Sequence, residues 1–313
     1  MAAVVDLSLP VEECAAALYK ACTTSGFAVL INHGVPQAAI DGMFDASRRF
    51  FALPTEVKRK ALATESPHNR GYSPPNEQKL DSAAAKADTK EGYYIGRELP
   101  TSERNPLQGP NAWPDEALVP GYRSAMSAYF SEVLALGDRM LERLALALGL
   151  PQGWFADKFD LSIATLRPLH YSATDEPGDM GAGAHTDFGC ITLLTTDDQP
   201  GLQLLLGGEW VSVPPAPGSF VMNIGDMLER WSNSKFKSTM HRVLNTGAER
   251  YSTAFFIDAN YDAVVECLPT CTGPDNPPKY APVLAGHHLM NRLRGTHTQH
   301  ALEGARTEGA ASA

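Results

Sequence analysis

The chain has 313 residues, 43% hydrophobic and 20% charged, the balance of a folded globular protein. Its 26 Lys and Arg stand against 36 Asp and Glu, a net charge of −10 spread along the chain. The missing basic footprint argues against a nucleic-acid polymer as partner, and no apolar run approaches the ~20 residues that span a bilayer.

Five cysteines occur, Cys14, Cys22, Cys190, Cys267 and Cys271, with no C-x-x-C pair. They read as reduced thiols of a cytoplasmic protein, Cys190 as small core packing. No charged stretch followed by an apolar one opens the chain, so no leader is expected. Val4-Val5-Asp6-Leu7 already reads as a strand.

Taken in chain order, Val11 to Thr23 carries Cys14, Leu18 and Cys22 on one helical stripe. Gly26 ends that helix, and Phe27 to Ile31 reads as a buried strand. Asn32-His33-Gly34-Val35-Pro36 is turn chemistry, with His33 a structural hydrogen-bonder. A helix resumes through Phe44, Phe50 and Phe51. Residues 65 to 110 show little periodicity and much Pro, Gly, Asn and Asp. The aromatics and arginine of Asn69-Arg70-Gly71-Tyr72 and Gly92-Tyr93-Tyr94-Ile95-Gly96 suit either a substrate lid or packing under a long loop. Tyr122 to Leu148 is a long amphipathic helix closed by Gly149. Short β-rich runs follow: Ile163–Tyr171, Ile191–Thr196, Leu202–Leu205, Trp210–Val213, Phe220–Ile224, Thr239–Asn245 and Ser252–Ile257. Pro, Gly and Asp clusters separate them, the spacing of a sandwich or jelly roll. Val283 to Arg294 reads as a last helix.

The expected fold class is therefore mainly β with flanking α, a double-stranded β-helix (jelly roll) core with helices packed on one sheet. One domain over residues 1–295 is expected, with an N-terminal α/β part (1–150) and the core at about 151–260. The tail, 296–313, lacks apolar periodicity and is expected to be disordered.

His185-Thr186-Asp187 carries the chemistry. Residues two apart on a strand share a face, so one imidazole and one carboxylate can meet a single metal. A second histidine, His241, would complete a 2-His-1-carboxylate set, which leaves positions open and marks non-haem Fe(II) oxygenases. Arg250 and Ser252 follow the same rule and offer a guanidinium and a hydroxyl to a carboxylate. Asp226 reads as a turn residue rather than a ligand, His170 as a core hydrogen-bonder and Trp231 as packing.

In this order the motifs resemble the Fe(II)- and 2-oxoglutarate-dependent dioxygenases of the isopenicillin N synthase-like branch, over nearly the whole chain. Gly26-Phe27 to His33-Gly34-Val35 resembles the branch's N-terminal strand and turn, and Asn223-Ile224-Gly225-Asp226 its N-x-G-D strand end. Asn69–Tyr72, Ile95–Glu98, Leu169–Tyr171 and Arg230–Asn233 are similar to segments of thymine 7-hydroxylases. Asp88–Tyr93 resembles a run shared with related plant and fungal oxidoreductases.

The resemblance implies Fe(II) held by His185, Asp187 and His241. It implies 2-oxoglutarate as cosubstrate at Arg250 and Ser252, with Tyr171 a third contact, and O2 as oxidant. Phe188 and Phe256 fall where the thymine enzymes hold a planar ring, and Arg167 where an arginine bonds it. Asn69, Arg70 and Tyr94 are further substrate candidates. The chain departs from those enzymes in Phe188 where they have tyrosine, in Pro168 within the strand, and in Ile257-Asp258 after Phe256. Alternation turns Phe188 away from the face of Asp187, so a bend permitted by Gly189 is required.

The expected activity is oxidation of a small organic molecule, such as a nucleobase or planar heterocycle, with release of succinate and CO2. No protein partner is implied. An iron oxidase that does not use 2-oxoglutarate, a non-redox metal enzyme and a ligand-binding protein remain as alternatives. Succinate formation separates the first of these, and anaerobic activity the second.

Overall fold

The computed structural model describes residues 2–294. The tail at 296–313 lies outside the described residues. β1 (Ala3–Asp6) pairs in parallel with β2 (Phe27–Ile31), and α1 (Val11–Thr24) connects them. Cys14, Leu18 and Cys22 of α1 are fully buried, as their shared stripe requires. His33 does hold the next turn: its ring bonds the Gly218 carbonyl and the Val35 N–H. Then come α2 (Gln37–Phe51) and the short α3 (Thr55–Lys58).

The stretch read as irregular instead contributes β3 (Gly71–Ser73) and β4 (Glu91–Gly96), which pair antiparallel. Every residue of both is buried. A strand covered on both faces shows no alternation, so its period of two is invisible in sequence. α4 (Tyr122–Ala147) and α5 (Ala156–Phe159) lead into the core.

The core strands are β5 (Ile163–Tyr171), β6 (Met180–His185), β7 (Ile191–Thr196), β8 (Leu202–Leu206), β9 (Glu209–Ser212) and β10 (Phe220–Ile224). After α6 (Asp226–Trp231) come β11 (His241–Leu244) and β12 (Arg250–Asp258). A small hairpin of β13 (Val264–Val265) and β14 (Val283–Leu284) precedes α7 (Ala285–Arg294).

The major sheet has the order β1-β2-β10-β7-β12-β5-β4-β3, and the minor sheet β6-β11-β8-β9. Alternation along the strands sorts side chains between two cores. Leu166, Leu193, Met222 and Phe255 pack with Leu18, Met43, Phe50, Met126 and Val133 of α1, α2 and α4. Leu169, Tyr171 and Val221 of the major sheet meet Ala182, Leu202, Leu204 and Val243 of the minor one. This is a jelly roll with helices on one sheet. The face of β5 and β12 turned from the helices, Ile163, Thr165, Arg167, Leu169 and Tyr171 against Ser252, Ala254, Phe256 and Asp258, is the one that builds the site. None of the described helices is long and apolar enough to cross a membrane. All five cysteines are free thiols.

Candidate functional site

β6 and β11 run antiparallel with His185 opposite His241, and their ring centroids lie 4.3 Å apart. Each ring is held through Nδ1, His185 by the Gly183 carbonyl at 2.7 Å and His241 by the Thr239 carbonyl at 3.1 Å. Nδ1 therefore carries the proton, and Nε2 keeps a lone pair for a shared centre. Asp187 Oδ1 lies 3.7 Å from both Nε2 atoms. One ligand atom from each residue lies within 4.8 Å of the others, a span that small side-chain shifts close onto one ion with bonds near ~2 Å.

Strand alternation does not place Asp187. β6 ends at His185, and Asp187 lies in the irregular segment beyond it, just before the bend at Phe188–Cys190. The Asn223-Ile224-Gly225-Asp226 segment supplies the hold. Asp187 Oδ2 accepts from Asn223 Nδ2 at 2.6 Å and Thr192 Oγ1 at 2.5 Å, which leaves Oδ1 for the metal. The Asp226 N–H donates to the Asp187 carbonyl at 2.8 Å. A Cβ on Gly225 would sit 2.3 Å from the Gly189 carbonyl oxygen, so only glycine admits this approach. Asp226 opens α6 rather than sitting in a turn, and its side chain is a tether to other side chains: it accepts from Ser238 Oγ and pairs with Arg292 at 2.8 Å.

Burial, then the neighbouring His241, push the His185 imidazole well below its usual range, which keeps it neutral as a metal ligand must be. For Asp187, burial alone would favour the neutral acid. The two imidazoles and the bonds from Asn223 and Thr192 outweigh it and hold the carboxyl low.

An inner cavity reaches from His185, Asp187 and His241 to Arg250, Ser252 and Tyr171. Arg250 is buried, donates to Ser252 Oγ at 3.2 Å and lies over the Tyr171 ring at 4.8 Å. No carboxylate forms an ion pair with it among the described residues. A buried cation left so is costly, and a ligand carboxylate would offset that cost.

An outer cavity also borders His185 and Asp187. Arg167, Phe188, Phe256, Tyr94, Asn69 and Arg70 all line it. The required bend is present at Phe188–Cys190. It turns Phe188 into the cavity, with Arg292 over its ring at 4.7 Å. Arg167 stacks on Tyr94 at 4.4 Å and donates to Gln78 Oε1 at 2.9 Å. The β4–β5 pairing lapses opposite Arg167 and Pro168, where proline has no N–H to give. The Arg70 guanidinium braces this wall, its Nη atoms donating to the carbonyls of His68 at 2.8 Å and Leu107 at 2.6 Å.

Sequence reading missed Gln78, Leu80, Leu107, Asp258, Leu289 and Leu293 in this wall. The first three lie in the segment without periodicity and the last two on α7, none with a motif of its own. Burial raises the Asp258 carboxyl to about 7, against the Cys190 N–H, which lowers it, and with Asp187, which raises it. His170 bonds Glu91 and Glu249, and Trp231 packs on Phe155 and Phe159, both as expected.

Two family models match. Residues 3–116 fit the N-terminal domain described as non-haem dioxygenase in morphine synthesis, and residues 162–259 the 2OG-Fe(II) oxygenase superfamily. The chain is 37% identical to kihadalactone A synthase of Citrus sinensis over 93% of its own length and 90% of that protein's. The chain belongs to the 2OG-Fe(II) oxygenase superfamily.

This oxygenase is also 38% identical to the 2-oxoglutarate-Fe(II) type oxidoreductase hxnY of Emericella nidulans, across 90% of this chain and 82% of that one. It superposes on Neurospora crassa thymine 7-hydroxylase, solved with α-ketoglutarate and thymine, with a TM-score of 0.83 and 30% identity over 94% of this chain and 96% of the other. It is an Fe(II)- and 2-oxoglutarate-dependent oxidoreductase that consumes O2. The His/Asp/His cluster fits that metal, with two imidazoles, one carboxylate and cavities that border it.

Proposed function

We propose that this oxygenase oxidises a small flat heterocycle of the nucleobase kind, seated in the outer cavity with its ring between Phe188 and Phe256. His185, Asp187 and His241 hold the iron. Arg250, Ser252 and Tyr171 hold the distal carboxylate of 2-oxoglutarate. One observation carries this reading: two cavities meet at His185 and Asp187, one ending in a buried arginine and hydroxyl, the other walled by aromatics and Arg167. The Neurospora enzyme, bound in one complex to thymine and in another to 5-formyluracil, makes such rings the first class to test.

Bound iron supplies O2 activation coupled to decarboxylation of 2-oxoglutarate to succinate and CO2. The chain's own groups position the reactants. Arg250 offsets the distal carboxylate and so aims the keto-acid end at the three ligands. The Nδ1 bonds keep both imidazoles turned inward, with Nε2 toward the iron. Phe188 and Phe256 stack on the substrate ring, Arg167 donates to an acceptor on it, and Leu107, Leu289 and Leu293 keep water from the chamber. Residues 1–295 act as one dioxygenase unit, its five free thiols suited to the cytoplasm, on a free small molecule rather than a polymer.

The test is turnover with thymine, uracil and non-planar aliphatic acids, following succinate and incorporation of labelled oxygen. Succinate matched to an oxidised ring is the expected result. Coupled turnover only with aliphatic substrates, or product without succinate, would overturn the reading.

A further inference from the structure

The geometry points to Asp258 as a specificity-determining residue that selects substrates with a cationic or N–H-donating edge, at the end of the outer cavity remote from 2-oxoglutarate. This rests on the reading of that cavity as the substrate chamber. Arg250, Ser252, Ala254, Phe256 and Asp258 alternate onto one face of β12, so Asp258 follows Phe256 outward from the cosubstrate pocket. Asp258 is only 6% exposed. Its Oδ1 accepts from the Cys190 N–H at 2.8 Å. Its Oδ2 has no hydrogen-bond partner among the described residues, yet is not sealed in the core.

No lysine, arginine or histidine pairs with Asp258 among the described residues, and the charged neighbour it senses is another carboxylate, Asp187. Capping Cys190 does not explain a carboxyl here, since an asparagine oxygen would accept that N–H equally well. What a carboxylate adds is a second acceptor and a charge, both facing the chamber. The chain makes room for it: a Cβ on Gly189 would fall 1.3 Å from Oδ1, so the bend carries the one residue that lets this carboxyl in. Across the strand pair, Arg167 sits opposite Ala254 and Asp258 opposite Ile163, four residues or ~13 Å along the sheet. Arg167 likewise lacks a carboxylate partner among the described residues. The chamber thus presents a buried cation at one end and a buried carboxyl at the other, with Phe256 between. It suits a flat ring with an anion or acceptor on one edge and a donor or cation on the opposite edge.

The test is calorimetric binding of 4-(aminomethyl)benzoate and 4-methylbenzoate to protein loaded with Mn(II) and 2-oxoglutarate, which cannot turn over. The two probes differ in the ammonium alone. The wild-type protein is expected to bind the first at least about tenfold more tightly, the size of a hydrogen bond to a charged group. Asp258→Asn should erase that preference while leaving 4-methylbenzoate and 2-oxoglutarate binding unchanged. Asp258→Ser serves if the asparagine variant does not fold, and the wild-type comparison needs no variant. Equal affinities in the wild type, no binding of either probe, or a preference that survives in Asp258→Asn would overturn the inference. Phe256→Ala tells the two failures apart. If it weakens 4-methylbenzoate while the ammonium preference is absent, only the role of Asp258 falls. If it changes nothing, the chamber reading falls as well.

Discussion

The two oxygens of Asp187 have separate duties. Oδ2 is taken by Asn223 and Thr192, and Oδ1 is left facing His185 and His241. Two predictions belong to this scale. His185→Ala or His241→Ala should abolish iron retention, measured by metal analysis after dialysis, with the metal-free melting temperature close to wild type; iron retained at one equivalent would remove that residue from the ligand set. Asn223→Ala should weaken iron binding by about 10–100-fold, because it frees the carboxylate that it orients. A competition titration against a chelator measures this, and unchanged affinity would show that Thr192 and the backbone hold Asp187 without it. The sequence named all three proposed ligands but not how the third is placed. H-x-D on a strand suggests alternation, whereas the strand ends at His185 and a distant N-x-G-D segment fixes the bend. That long-range tether has no local signature.

At the scale of elements, β4 is fastened by one buried group. Glu91 accepts from Lys58 at 2.7 Å and from Tyr72 at 2.5 Å, and pairs with His170 at 2.7 Å, which ties α3, β3 and β5 together. Burial alone would raise the Glu91 pKa, but the bonds from His170, Lys58 and Tyr72 outweigh it and set the carboxyl below its usual range. Glu91→Gln should therefore cost about 3–5 kcal/mol at neutral pH, since it leaves Lys58 buried without its anion. A lowered folded pKa means stability that is present above the unfolded value of ~4.3 and lost as pH falls through the lower folded one. Urea melts of both proteins from pH 7 downward should show the gap closing only in that acid window, and a gap independent of pH would contradict the assignment. These same elements show where the sequence was legible. β5, β7 and β10 coincide with their predicted spans because turn residues bound β-branched, apolar runs. β3 and β4 went unread because both their faces are covered, and β6 because Met180–His185 is built of glycine and alanine with no β-branched residue.

Across the whole molecule, the site lies where the two sheets face each other. His185 and His241 belong to the minor sheet. Asp187 is tied to β7 and β10 of the major sheet, and Arg250 stands on β12. A metal and a carboxylate cosubstrate would therefore clasp one sheet to the other. At concentrations a hundred times Kd each should add about 2.7 kcal/mol to stability, seen as a higher melting temperature. Most of this architecture was readable from the order of the motifs. The proposed substrate chamber was not, because its wall is gathered from β4, β5, β12, α7 and a segment without periodicity.

The most direct measurement is anaerobic calorimetry of 2-oxoglutarate binding, with and without Fe(II), to the wild-type protein and to Arg250→Ala. One equivalent should bind tightly to the iron-loaded wild type and far more weakly without iron. Arg250→Ala should lose about 3–5 kcal/mol of that affinity. Equal binding with and without iron, or full affinity in Arg250→Ala, would contradict the placement of iron and cosubstrate in the paired cavities.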